Sequence, residues 1–169
     1  ENQFQLILER YSNHKAVSKA MLLKAFTYAE RRDLKNAERL IREFLQTYRD
    51  HEWRMNAFEK LGDTYIQMEQ PGKAIDAYTQ AGNALKVADR VRVLFKLGTT
   101  YLHLGNSKRA IESFRSVISI GEKGDVYVRV PDAYYRIGDE YYKSKEYDKA
   151  LEFYIKVTRK YPAFQETPW

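Results

Sequence analysis

The sequence predicts an all-α fold, a solenoid of stacked antiparallel helical hairpins, and three observations carry that expectation. The first is an internal repeat. A small residue recurs at Ala25, Gly62, Gly98 and Gly138, a tyrosine follows three residues later at Tyr28, Tyr65, Tyr101 and Tyr141, and an alanine comes nine residues after that at Ala37, Ala74, Ala110 and Ala150. Every column has the same intervals, 37, 36 and 40 residues, so one unit has been copied with small insertions. The second observation is the spacing inside the unit. Small residue and tyrosine stand at i and i+3, and each alanine is followed at i+4 by Ile41, Tyr78, Phe114 or Tyr154, so each pair shares one face of a helix. The third is composition: 8 glycines and 4 prolines in 169 residues, among abundant Ala, Leu, Glu, Lys and Arg, favour long helices over many short strands.

Taken in order, residues 1–12 read as the second helix of a preceding unit, because Phe4, Ile7 and Tyr11 lie 37 residues before Ile41, Phe44 and Tyr48. First helices are expected near 16–31, 52–68, 88–104 and 131–144, and second helices near 34–48, 71–86, 107–120 and 147–160. Asp33 can cap the helix beginning at Leu34, Pro71 suits a first helical turn, and Gly105-Asn106-Ser107 supplies a helix stop followed by N-cap candidates. Gly or Ala at the facing positions lets two backbones approach closely, and the Tyr and Phe rings fill the space beside them. The long interval places extra residues at 121–131. The alternating valines there suggest a short strand or contact arm, set against a longer loop or helix extension. Thr167-Pro168-Trp169 reads as the opening of another unit, so the parent protein is expected to be longer in both directions.

Leu61-Gly62-Tyr65-Ala74-Tyr78-Ala81, Leu97-Gly98-Tyr101-Ala110-Phe114 and Ile137-Gly138-Tyr141-Ala150-Tyr154-Pro162 resemble the tetratricopeptide repeat. That unit has about 34 residues and a Leu-Gly…Tyr…Ala…Phe…Pro pattern. The first unit departs from it, with Lys24 and Ala25 in place of Leu-Gly. The resemblance implies a right-handed α-solenoid across 1–169, with repeats at 16–48, 52–86, 88–120 and 131–162 and a further one opening at 165–169. It also implies a non-catalytic scaffold that binds a partner peptide or protein in a concave groove lined by first helices. Segments such as Leu45-Gln46-Thr47-Tyr48 and Arg159-Lys160-Tyr161-Pro162 also resemble bacterial envelope proteins, including outer-membrane lipoproteins of barrel assembly and polysaccharide export. This favours a periplasmic or envelope setting and assembly of a larger complex there.

The chemistry-bearing residues do not converge. There is no cysteine, and His14, His51 and His103 fall in different units. No metal-binding His-Glu-x-x-His, phosphate loop or nucleophile elbow is present, and Asp139-Glu140 are adjacent and point apart on a helix. The expectation is therefore no enzyme, cofactor, metal or small-molecule substrate. No stretch approaches ~20 apolar residues, so no membrane insertion is expected of these residues. The net charge of +6 is spread over helices as solvated surface.

The groove face, read as the side of each first helix away from its core columns, comprises Leu22, Phe26 and Ala29, then Glu59, Asp63 and Ile66. It continues through Arg92, Phe95, Lys96, Thr99 and Leu102, then Asp132, Tyr135, Arg136, Asp139 and Tyr142. Phe95, Leu102, Tyr135 and Tyr142 are expected to form an exposed aromatic strip as its centre. The Lys/Asn/Arg clamp with which some tetratricopeptide repeats hold acidic tails is missing, since Leu22 and Phe26, or Glu59 and Asp63, occupy the matching positions. An RNA-binding array would set Arg92, Lys96 and Arg136 against phosphates and stack bases on Phe95 or Tyr135, but Glu59, Asp63, Asp132 and Asp139 argue against it. A regulatory or sensory module of a larger enzyme is the third alternative.

Overall fold

The computed structural model describes residues 15–83 and 86–162; the expected helix at 1–12, His14 and the unit opening at 165–169 lie outside them. Among the described residues the chain forms α1 (Lys15–Glu30), α2 (Leu34–Thr47), α3 (Arg54–Gln67), α4 (Pro71–Ala81), α5 (Val87–His103), α6 (Ser107–Lys123), α7 (Val130–Lys143) and α8 (Tyr147–Lys160), with no strand. The helices fall into two compact units, Glu1–Ala81 and Gly82–Trp169. In the first, α1 packs on α2, α2 on α3 and α3 on α4; in the second, α5 packs on α6, α6 on α7 and α7 on α8.

All four hairpins turn in the same way. The amide of the helix-capping residue donates back to the column tyrosine six positions along the turn: Asp33 to Tyr28, Gln70 to Tyr65, Asn106 to Tyr101 and Glu146 to Tyr141, each at 2.9 Å. This is a Schellman closure, which needs one left-handed residue. Gly105 supplies it in the third hairpin at φ 69°, whereas Arg32, Glu69 and Lys145 adopt it at 62°, 58° and 63°. Asp33 and Asn106 then cap the following helices, accepting from the amides of Asn36 and Arg109.

The small-residue column is where second-helix rings meet first-helix backbone. A Cβ on Gly62 would lie 2.4 Å from the Tyr78 ring, on Gly98 2.7 Å from Phe114, and on Gly138 2.6 Å from Tyr154. In the first hairpin Ile41 stands where the others have a ring, and Ala25 is accommodated where they have glycine. The buried cores follow, with Leu22, Ile41 and Phe44 in the first unit and Val91, Phe114, Val117, Val130 and Ile137 in the second.

Two expected spans change. The second helix of the second hairpin ends at Ala81 rather than 86, because Gly82-Asn83 follows as a turn. The 121–131 insertion is a helix extension and turn rather than a strand. Helix α6 continues to Lys123, and the Val126 amide closes back onto the Gly121 carbonyl at 2.8 Å. A Cβ on Gly121 would sit 2.4 Å from Val130 Cγ2, so only glycine lets the turn fold this tightly against the start of α7. Val130 is buried and Val126 half-buried, while Val128 is 78% exposed, so the alternating valines belong to a turn. The Glu122 carboxylate ties this segment to the far end of α8: its Oε1 accepts from Lys160 Nζ at 2.7 Å, Tyr161 Oη at 2.9 Å and Tyr134 Oη at 3.0 Å.

Candidate functional site

Only part of the expected groove face is surface. In the first unit Leu22 and Ala29 are core and Glu59 is buried, because neighbouring elements cover the side of the helix that periodicity alone leaves open. Phe26 is half-buried, with the Lys60 ammonium 5.6 Å from its ring centre, and Ile66 is exposed. Asp63 is half-buried and accepts from Tyr78 Oη at 2.7 Å. Burial, then the charge and hydrogen bond of Asp63, push the Tyr78 phenol far above its ordinary value, so the hydroxyl stays a donor.

The second unit repeats that bond. Asp139 accepts from Tyr154 Oη at 2.8 Å, and burial followed by the Asp139 hydrogen bond again holds the phenol protonated. In the third hairpin the two corresponding positions, also fifteen residues apart, are Thr99 and Phe114. Carboxylate and hydroxyl are lost together, and Thr99 Oγ1 turns instead to its own helix, donating to the Phe95 carbonyl at 3.0 Å. Asp63 and Asp139 are thus fastenings between the two helices of a hairpin.

The expected exposed aromatic strip is corrected in the same sense. Phe95 and Tyr135 are half-buried against second-helix rings, with centroids 5.3 Å from Phe114 and 5.6 Å from Tyr154, and Leu102 is half-buried on the same core. Only Tyr142, 59% exposed and 5.4 Å from the Tyr147 ring, stands free of the helix bodies.

Charge is matched locally along this face. Arg92 pairs with Asp89 at 2.9 Å, and Asp132 lies 3.5 Å from Arg129. Burial pushes the Asp132 carboxyl up, opposed by Arg129 and Arg136, while Lys96 and Arg136 are half-buried. Sequence reasoning missed Arg129, whose guanidinium lies 5.1 Å over the Phe95 ring, and Tyr147 beside Tyr142. Arg129 could have been found from its i,i+3 spacing to Asp132. Among the described residues no cluster of His, Asp and Glu could hold a metal ion, and no helix is long and apolar enough to cross a membrane.

Two tetratricopeptide-repeat family models match the sequence, one over residues 131–164 and one over 56–81 and 91–123, together more than half of the chain. No curated protein matches it. Among solved structures, MamA is similar at a TM-score of 0.74 and 22% identity, over 95% of this chain and 85% of that one. BtubC (BKLC) from P. vanneervenii is similar at 0.73 and 17%, over 99% and 72%. The apo form of RapI gives 0.78 and 19%, over 96% of this chain and 48% of that one, so this chain spans about half of RapI. At such identities the likeness is one of fold, a solenoid of helical hairpins.

Proposed function

We propose, because this chain belongs to the tetratricopeptide-repeat family, that it is a non-catalytic scaffold whose first helices hold a partner peptide or protein within a larger assembly, one of a bacterial envelope. One array across 1–169, with flanking repeats contributing 1–12 and 165–169, is part of this reading. The observation that carries it is the first-helix face of the second unit. Half-buried Phe95 and Tyr135 form a floor fixed by rings beneath, Leu102 lies beside them, and Tyr142 projects from the rim. Rigid aromatics on a preorganised surface are what peptide recognition uses. Asp63 and Asp139 are committed to tyrosine hydroxyls, which supports binding over proton transfer, and the Arg92–Asp89 and Arg129–Asp132 pairs favour a protein over a nucleic-acid partner.

A photo-crosslinking residue at position 142 identifies the partner, and titration calorimetry then measures its affinity. Tyr142→Ala is expected to weaken binding by about tenfold or more with the melting temperature unchanged. Phe95→Ala and Tyr135→Ala are expected to lower both, because these rings also pack on Phe114 and Tyr154. Rim changes such as Arg92→Ala should mainly alter association rate and salt dependence. If Tyr142→Ala and Leu102→Ala both bind like the parent, the partner does not use this face.

A further inference from the structure

The largest concentration of exposed apolar side chains lies on the last described hairpin. Tyr147 and Leu151 on α8 are 56% and 57% exposed, and Ile155, half-buried, continues the same stripe at i, i+4 and i+8. Tyr142 extends it through its ring contact with Tyr147. The corresponding residues of earlier hairpins are engaged by the next first helix. Ser107, in the place of Tyr147, donates to Glu140 of α7; Ile111, in the place of Leu151, packs on the core shared with α7; and Glu38, also in the place of Leu151, accepts from Tyr65 of α3 at 2.9 Å. At α8 the same surface is more apolar, and no described residue covers Leu151 or Tyr147 to that extent.

Charge along α8 says what fits there. Asp148 lies in its first turn and Arg159 and Lys160 in its last. Lys160 is held by Glu122, Glu146 by Lys149, and Glu152 by Lys156, whereas Asp148 and Arg159 are exposed and form no ion pair among the described residues. On a helical projection both flank the same side of the Leu151 stripe, at opposite ends. An antiparallel helix with the same charge order meets opposite charge at both ends; a parallel one meets like charge.

We propose that the α8 stripe is a self-association surface on which a second copy of this chain packs its own α8 antiparallel, about a two-fold axis. Setting Leu151 of one protomer against Ile155 of its partner, and the reverse, brings Asp148 beside the partner's Arg159 twice. A two-fold axis requires that reciprocity. The stripe is short, so the dimer is reversible, with dissociation on the order of micromolar. This inference is independent of the groove reading, since it concerns α8 rather than the first helices.

Sedimentation equilibrium on the 169-residue chain over a wide concentration range tests it. The expected result is a monomer–dimer equilibrium that Leu151→Glu weakens by roughly tenfold or more with an unchanged melting temperature. Asp148→Arg and Arg159→Asp should each weaken it several-fold, and the double exchange should restore it, because the reciprocal pair is re-formed with reversed sign. A chain that stays monomeric at millimolar concentration overturns the proposal. So does a dimer indifferent to Leu151→Glu, or a charge exchange that fails to restore what the single changes lose. If Leu151→Glu instead unfolds the monomer, the stripe is covered from within the chain and the proposal also fails.

Discussion

Side chains in this repeat are chosen in pairs across the hairpin. Tyr78, Phe114 and Tyr154 rings lie so close to Gly62, Gly98 and Gly138 that no Cβ fits, and the hairpin that has Ala25 instead carries the slimmer Ile41. Gly98→Ala should therefore destabilise by about 1–3 kcal/mol through overpacking. Replacing Phe114 by Ile in that background should recover part of the loss, since it reproduces the Ala25/Ile41 combination. Denaturant midpoints for the two single variants and the double variant check this, and strictly additive losses would show that the ring is not what excludes the methyl group. The Asp63–Tyr78 and Asp139–Tyr154 bonds obey the same logic, and so does their joint absence at Thr99 and Phe114. A buried hydroxyl left without its acceptor would cost about 1–3 kcal/mol.

At the scale of elements, the insertion between the third and fourth hairpins is held by one carboxylate. Burial pushes the Glu122 carboxyl up, but hydrogen bonds from Lys160, Tyr161 and Tyr134 outweigh it and leave the group below the usual glutamate range. Tyr134, pushed up to about 12 by burial and by Glu122, remains a donor at neutral pH. A lowered carboxyl contributes stability that is complete above its unfolded value of about 4.3 and is lost as pH falls through its folded value. Glu122→Gln should thus lower the urea midpoint at pH 7 and make much less difference at pH 3. An equal effect at both pH values would mean that the charge on Glu122 does not carry the cluster. The turn signals at this scale were only partly legible. Gly105 announces its turn, but Arg32, Glu69 and Lys145 reach the same left-handed geometry with residues that carry no such signal.

For the molecule as a whole, each compact unit has its own core and draws its contacts from helices adjacent in sequence. In such repeats most stabilisation is local or between nearest neighbours. A fragment comprising residues 82–169 should therefore fold alone, giving a helical circular dichroism spectrum and a cooperative melt. A spectrum without helix would show that its core depends on the rest of the chain.

The sequence by itself determined the repeat, its helical hairpins and most of their caps. Those rest on i, i+3 and i, i+4 spacings and on residues such as Asp33, Asn106 and Gly105 that act within one or two turns of chain. Only the tertiary structure decided which first-helix residues are surface. Periodicity states the direction in which Leu22, Glu59, Phe95 and Tyr135 point, but whether water or a neighbouring element lies in that direction depends on residues remote in sequence. The same holds for Arg129, which a turn closed by Gly121 and Val126 brings over Phe95, and for Glu122, whose partners Tyr161 and Lys160 lie nearly forty residues away. Local spacing fixes secondary structure because its energetics are local, while exposure, and with it the choice of binding residues, is settled by packing between elements.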